Sequence, residues 1–261
     1  MEILKPRGDL RSFFDRLSAT KHRALLLDYD GTLASFQIER DQAFPYPGVR
    51  DILDDIIGDD CSRIALVSGR WTKDLIPLLG LKQLPEIWGS HGVERLMPDG
   101  TYEIGALDDS YKNGLSEARS WAELEGLLDR CEEKPTTLAL HWRGLNPDVI
   151  EDIRGKIQKK WEQIAKTSGL SVHEFDGGLE LRGHANKAIA VETILSEMNE
   201  NPIMAYLGDD QTDEDAFQAL GDRGLGVLVR TEFRPTAAHV WLKPPGELLK
   251  FLNRWKEVCR R

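Results

Sequence analysis

The sequence predicts an α/β protein, a doubly wound parallel sheet whose chain is interrupted by an α+β insertion. Three observations predict it. Apolar runs at residues 24–32 (ALLLDYDGT), 63–70 (RIALVSGR) and 203–217 (IMAYLGDDQTDEDAF) each stop at polar, Gly-containing turn chemistry, as buried parallel strands do. Apolar residues at helical spacing lie at 50–57, 72–79 and 187–198. Strand and helix in alternation build a sheet whose ligand site lies beyond the carboxyl ends of its strands. All three polar exits are such ends. Between about residues 92 and 181 the texture changes, and short strands and helices mix without the βα rhythm.

Taken in order, the insertion has strands at 101–104 and 137–142 around helical stretches at 111–131 and 147–166. A further strand at 171–175 precedes a turn at Gly177 and Gly178 and the segment 179–182. The sheet domain is therefore expected in two pieces, residues 1–91 and 182–261, with 92–181 as a cap domain.

A length of 261 residues fits one core carrying an insertion. The 41% of hydrophobic residues suffices for a buried core. With 34 basic against 44 acidic residues, the net charge of −10 excludes a chain-wide nucleic-acid or anionic-membrane surface. Cys61, Cys131 and Cys259 stand far apart; they offer no zinc spacing and no even disulfide set, which points to a reducing compartment. The first residues lack a signal peptide's unbroken apolar stretch, and no run approaches the roughly 18 residues of a membrane span. The expectation is a soluble cytoplasmic protein with no membrane or nucleic-acid partner.

Asp28-Tyr29-Asp30-Gly31-Thr32 closes the first apolar run. Two carboxylates one residue apart at the ligand end of a strand can divide labour, one attacking phosphorus while the other moves a proton to the leaving oxygen. The same residues also read as a plain Asp-Gly turn or as the start of a calcium loop, although Leu33 and Ala34 stand where the loop's next ligand and glycine belong. A second acidic cluster, 208–215 (GDDQTDED), follows the third run. Thr212 with Asp215 resembles a capping box, which leaves Asp209 and Asp210 unneeded for capping. Three or four carboxylates gathered there would need a cation, and hard oxygen ligands select Mg²⁺ where zinc would want His or Cys. Ser68-Gly69-Arg70 can offer a hydroxyl and backbone N–H groups to a phosphate, and Lys187 a fixed positive charge. Each is also an ordinary turn or surface charge when taken alone.

The motif Asp28-Tyr29-Asp30-Gly31-Thr32-Leu33, then Ser68-Gly69, Lys187 and Gly208-Asp209-Asp210, resembles the four motifs of the haloacid dehalogenase-like (HAD) phosphohydrolases in order and spacing. The resemblance implies a HAD-like, Rossmannoid core in which Asp28 is the nucleophile and Asp30 the general acid/base. It implies phosphate binding by Ser68, Gly69 and Lys187, and a Mg²⁺ ion held by Asp28, the Asp30 carbonyl and Asp209, with Asp213 as a further ligand or a supporting group. GDDQTDEDAF at 208–217, GSHGVE at 89–94, Glu133-Lys134 with His141-Trp142-Arg143, and Leu179-Glu180-Leu181-Arg182 narrow the likeness to the trehalose-6-phosphate phosphatase family over nearly the whole chain. Trp142 stands where that family usually has tyrosine, and Gly183-His184-Ala185-Asn186 replaces its usual Pro and Gly.

The resemblance implies hydrolysis of a sugar phosphate, foremost trehalose 6-phosphate, and a functional pairing with a sugar-phosphate synthase. Glucosylglycerol phosphate or sucrose phosphate is the alternative substrate, and a non-catalytic sugar-phosphate sensor the alternative role. Lys134, His141, Arg143, Glu180 and Arg182 of the insertion are the candidates for sugar hydroxyls. Strand alternation would send His141 and Arg143 to one face and Trp142 to the other. His91 and Glu94 fall near the expected hinge. His22, His173 and His239 are expected to be surface or packing residues.

Overall fold

Every residue of Arg23–Leu27 is buried, which a strand can sustain only with a layer on each face of its sheet. The computed structural model, which describes residues 1–37, 39–105, 109–134, 136–142, 144–175, 177–183, 186–198 and 202–260, divides into two units: Met1–Glu103 with Asn186–Arg261, and Ile104–Ala185. The first unit opens with β1 (Glu2–Ile3), α1 (Leu10–Ser18), β2 (Arg23–Leu27), α2 (Val49–Gly58), β3 (Arg63–Val67), α3 (Thr72–Leu79), β4 (Glu86–Gly89), β5 (Glu94–Leu96) and β6 (Tyr102–Ile104). The second unit holds α4 (Asp109–Leu124), β7 (Cys131–Lys134), β8 (Thr137–His141), α5 (Pro147–Ser168), β9 (Ser171–Phe175) and β10 (Gly178–Arg182). The first then resumes with α6 (Ala188–Glu197), β11 (Ile203–Gly208), α7 (Glu214–Leu220), β12 (Gly224–Val229), β13 (Val240–Leu242) and α8 (Gly246–Cys259).

The nine-stranded sheet has the order β1-β13-β12-β11-β2-β3-β4-β5-β6. The six strands from β13 to β4 are parallel, and β1 and β5 are antiparallel additions. From β2 the chain winds outward through β3 and β4, then returns on β2's other side with β11, β12 and β13. That reversal between β2 and β11 is the switch point where doubly wound sheets open a ligand crevice. Alternate residues of β2 face opposite cores: Leu25 and Leu27 pack with Phe14, Ile56 and Trp255, while Ala24 and Leu26 pack with Val67, Tyr206 and Phe217.

In the second unit β7-β8-β10-β9 form an antiparallel sheet. One face, with Leu138, Leu140, Leu179 and Leu181, packs on Ile157 and Trp161 of α5. Trp142 belongs to this core and is 6% exposed.

Several expectations need correction. The strand expected at 101–104 as part of the insertion is β6, which forms the edge of the large sheet. The helix expected to reach Cys131 ends at Leu124; Gly126 then takes a positive φ of 70°, which glycine tolerates and a helix interior does not, and Cys131 opens β7. Cys61 and Cys259, expected to be unpaired, form a disulfide across a sequence separation of 198. It joins the approach to β3 to the end of α8, and it removes the cysteine argument for a reducing compartment. The capping box is not Thr212 with Asp215 but Asp210 with Asp213, so Asp210 does cap. No helix among the described residues is long and apolar enough to cross a membrane.

A charge network pins the last turn of α6 to the sheet. Glu197 accepts from Arg95 Nη1 and Nη2, both at 2.7 Å, and from Arg63 Nη2 at 2.6 Å. Buried Glu86 accepts from Arg63 Nε, Arg95 Nε and Trp88 Nε1, each at 2.8 Å. The two guanidinium groups hold the Glu197 carboxyl down at about 2, against an ordinary 4.5. A carboxylate with a depressed pKa contributes stability that is present above its unfolded value and disappears as pH falls through the folded one. The Glu197 side chain is 37% exposed, so solvent screening limits the loss in Glu197→Gln to about 1 kcal/mol at pH 7. Urea unfolding at stepped pH should show that difference intact above pH 4.5 and vanishing toward pH 2.

Candidate active site

β2 ends into Asp28, whose backbone N–H continues the ladder to the Leu207 carbonyl at 2.8 Å. The turn that follows brings Asp30 and Gly31 toward β11. Gly31 has φ +84°, and a Cβ there would overlap the Asp209 carboxylate, so only glycine lets the two acidic exits meet. β3 delivers Ser68, whose Oγ accepts from the Arg70 backbone N–H at 3.1 Å. A Cβ on the next residue, Gly69, would strike the His91 ring. Lys187 stands at the N-cap of α6.

These side chains form one buried constellation. Lys187 Nζ donates at 2.7 Å to Asp28 Oδ1 and at 2.7 Å to Asp213 Oδ1. Thr32 Oγ1 donates to Asp28 Oδ2 at 3.0 Å. Asp213 Oδ1 also accepts from Tyr206 OH at 2.7 Å, while its Oδ2 takes the backbone N–H groups of Asp209 (3.0 Å) and Asp210 (2.9 Å). The loop carrying Asp209 is braced from behind: Arg234 donates to the carbonyls of Asp209 and Asp210 at 3.2 and 2.6 Å and to Glu214 Oε1 at 2.5 Å.

Burial first, and then the nearby Asp213 charge, push the Asp28 carboxyl up, against the pull of Lys187. Burial and the charges of Asp28 and Asp213 push Asp209 up as well. Burial works against the Lys187 ammonium, but Asp213 and Asp28 outweigh it and hold its pKa above the ordinary lysine value. One ammonium thus faces three acidic side chains, Asp28, Asp209 and Asp213, whose oxygens lie within 4.8 Å of one another. Asp209 Oδ1 is buried and has no hydrogen-bond partner among the described residues, a costly state for a carboxylate oxygen. An all-oxygen donor set with an unsatisfied buried oxygen fits a hard divalent cation of the Mg²⁺ type.

Asp30 lies beside this cluster, with both its oxygens 2.6 Å from the Arg70 guanidinium. Glu94, expected near a hinge, is a fully buried brace that accepts from Thr72, Ser90 and Tyr102. In the second unit, the strand register puts Lys134, Thr137, His141, Glu180 and Arg182 on the sheet face opposite the apolar core. Glu132 accepts there from Lys134 and His141, each at 3.1 Å. Arg143 and His184 lie outside the described residues. Sequence reasoning assigned no role to Thr32, Tyr206 or Arg234, and quoted Arg70 without one. Tyr206 is hidden inside an apolar run, and Arg234 stands 25 residues from the loop that it braces.

A sequence profile described as trehalose-phosphatase matches residues 26–241. The chain is 29% identical over 243 residues to a trehalose-phosphate phosphatase of Mycobacterium marinum, covering 88% of this chain and 60% of that protein. The chain thus spans less than two thirds of that relative's length. Among solved structures it is similar to the C-terminal domain of C. albicans trehalose-6-phosphate phosphatase, with TM-score 0.69, 23% identity and 98% of each chain covered. It is similar also to Aspergillus fumigatus trehalose-6-phosphate phosphatase, with TM-score 0.66, 22% identity, and 97% and 98% covered. At these identities the structural likeness establishes the fold, a HAD-type α/β core with an inserted α+β unit.

Asp209 gives a direct test of the crowded charges. Its raised pKa means that the folded, metal-free protein binds this proton more tightly than the unfolded chain, so its stability falls as pH rises past the ordinary carboxylate range. In EDTA at pH 7, Asp209→Asn is therefore expected to be more stable than the parent by about 1–2 kcal/mol. Added Mg²⁺ should raise the parent's melting temperature and leave the variant's unchanged. A parent that gains nothing from Mg²⁺ would speak against the cation site.

Proposed function

The chain belongs to the trehalose-phosphatase family, and we propose that it is a Mg²⁺-dependent phosphoric monoester hydrolase that converts trehalose 6-phosphate to trehalose and phosphate. The observation that carries this reading is the buried Asp28–Lys187–Asp213 ion triad at the switch point of the sheet, with the unsatisfied Asp209 oxygen beside it. A carboxylate there is shielded from water and kept available for attack by a neighbouring ammonium.

Asp28 is the nucleophile. Its carboxylate oxygen bonds to phosphorus as the bond from phosphorus to the sugar oxygen breaks, and Asp30 gives the departing oxygen a proton. A water molecule then attacks the aspartyl phosphate. Asp30 takes the proton of that water, the bond from phosphorus to Asp28 breaks, and both carboxyl groups return to their starting state. Lys187, the Ser68 hydroxyl and the Gly69 backbone N–H hold the phosphoryl oxygens through both displacements. Asp28, Asp209 and the Asp30 carbonyl would hold Mg²⁺, which when bound supplies neutralisation and alignment of the phosphoryl group. With both oxygens of Asp213 already accepting hydrogen bonds, that residue fits a supporting role better than a ligand's.

Residues 92–181, by the sequence boundary, act as the specificity cap. Lys134, His141, Glu180 and Arg182, on one polar sheet face, recognise sugar hydroxyls, and Arg143 joins them on the strength of the sequence. Trp142, buried in that unit's core, is a packing residue. The same reading pairs the enzyme with a synthase that makes the sugar phosphate.

Phosphate release from trehalose 6-phosphate, sucrose phosphate and glucosylglycerol phosphate, with Mg²⁺ and with EDTA, tests the assignment. Trehalose 6-phosphate should be preferred and EDTA should abolish turnover; equal rates on all three esters would sink the substrate assignment. Asp28→Asn is expected to lower kcat on the order of 10⁴-fold or more, and Asp30→Asn by about 10²- to 10⁴-fold, both with native circular dichroism.

A further inference from the structure

We propose that Arg70 is the positioning residue for Asp30, and that through this grip it governs proton transfer to the leaving oxygen. The proposal rests on the reading of Asp30 as general acid/base. Arg70 Nε and Nη2 each lie 2.6 Å from an Asp30 oxygen, on Oδ2 and Oδ1 respectively. This is the parallel two-point geometry that fixes a carboxylate in direction as well as in distance. The guanidinium is itself held. Its Nη1 donates to the Arg40 carbonyl at 2.6 Å, its Cζ lies 5.7 Å from the centre of the Tyr29 ring, and the side chain is 5% exposed.

Among the described residues Arg70 is the side chain that grips the Asp30 carboxylate. Asp30 is 27% exposed and stands in the turn after β2, where rotation about its side-chain bonds would carry the carboxyl away from the ester oxygen. Arg70 leaves β3 in the segment that also carries Ser68, and its own backbone N–H donates to Ser68 Oγ. One residue therefore sets the spacing between a phosphate-binding hydroxyl and the proton-transfer carboxyl. The proton balance is simple. When Asp30 turns the oxygen bearing the proton to the leaving group, that oxygen gives up its Arg70 contact while the other keeps its own. The contact re-forms after the proton passes to the sugar oxygen, and the proton later taken from water restores the acid.

Leaving-group chemistry separates positioning from mere support. A sugar alkoxide needs a proton as it departs; p-nitrophenolate does not. Trehalose 6-phosphate and p-nitrophenyl phosphate are compared in single turnovers with Mg²⁺ and enzyme in excess, so that slow reactions are resolved. Arg70→Ala is expected to slow the sugar ester about 10²-fold, the lower end of a general-acid contribution, and p-nitrophenyl phosphate by less than about threefold, with Asp30→Asn showing the same selectivity. The double variant should be no slower than Asp30→Asn alone, because the two residues act as one unit. Arg70→Lys keeps the buried charge with one point of contact. It should recover part of the sugar-ester rate, and it stands in should Arg70→Ala not fold by circular dichroism and thermal melting. Equal losses on both esters in the folded Arg70 variant, with Asp30→Asn still selective, would overturn the role of Arg70 and leave Asp30 in place. An unselective Asp30→Asn would instead overturn the reading beneath it, and the proposal with it.

Discussion

A buried ammonium held between two buried carboxylates is the constraint around which the first unit is arranged. Removing one partner from such a contact leaves an uncompensated charge and typically costs about 3–5 kcal/mol, a large share of a domain's net stability. The Lys187 contacts at 2.7 Å therefore fix the start of α6 against the ends of β2 and β11. The other end of that helix is fixed by Glu197 on Arg63 and Arg95. A helix tied to the sheet at both ends cannot slide, and the position of the ammonium is set to the precision of a hydrogen bond.

The acidic loop is organised on the same plan. Asp213 both closes the capping box with Asp210 and receives Lys187, so starting the short helical turn and placing the cation of the cluster are one event. Arg234, itself paired with Glu214, braces the backbone carbonyls of Asp209 and Asp210. This leaves Asp209 as the group of the cluster whose carboxylate lacks a partner among the described residues on one buried oxygen. The surroundings are satisfied, and the unsatisfied valence is concentrated where an ion can use it.

The strands that carry chemistry were legible because each joins an unbroken apolar run to an abrupt polar exit, as ALLLDYD and IMAYLGDD do. Alternation along 137–143 likewise set Trp142 on the face opposite His141, and Trp142 packs in that unit's core. What escaped depends on contacts between distant residues. β4 contains Glu86 and Gly89 and reads poorly as a strand, yet it is buried throughout, because Arg63 and Arg95 neutralise the glutamate. The Asp30 and Arg70 pair spans 40 residues, and the Cys61 and Cys259 pair spans 198. No local pattern records either. The cap at Asp210 lies two residues before the expected one because TDED and DQTD both satisfy the spacing rule, and the choice between them falls to the hydrogen bonds that Asp213 makes.

The central position of β11, between β2 and β12, has a consequence for how such a protein is born. A ribosome delivers β2 and its acidic exit early, then all of residues 104–185, before it reaches the strand that completes the middle of the sheet. Throughout that interval one flank of β2 stands bare, a template for pairing with another nascent chain. Asp28 waits for its ammonium just as long. A polypeptide released before residue 203 would carry Asp28 at the end of an unfinished sheet, so premature termination yields sticky fragments in place of a weakened protein.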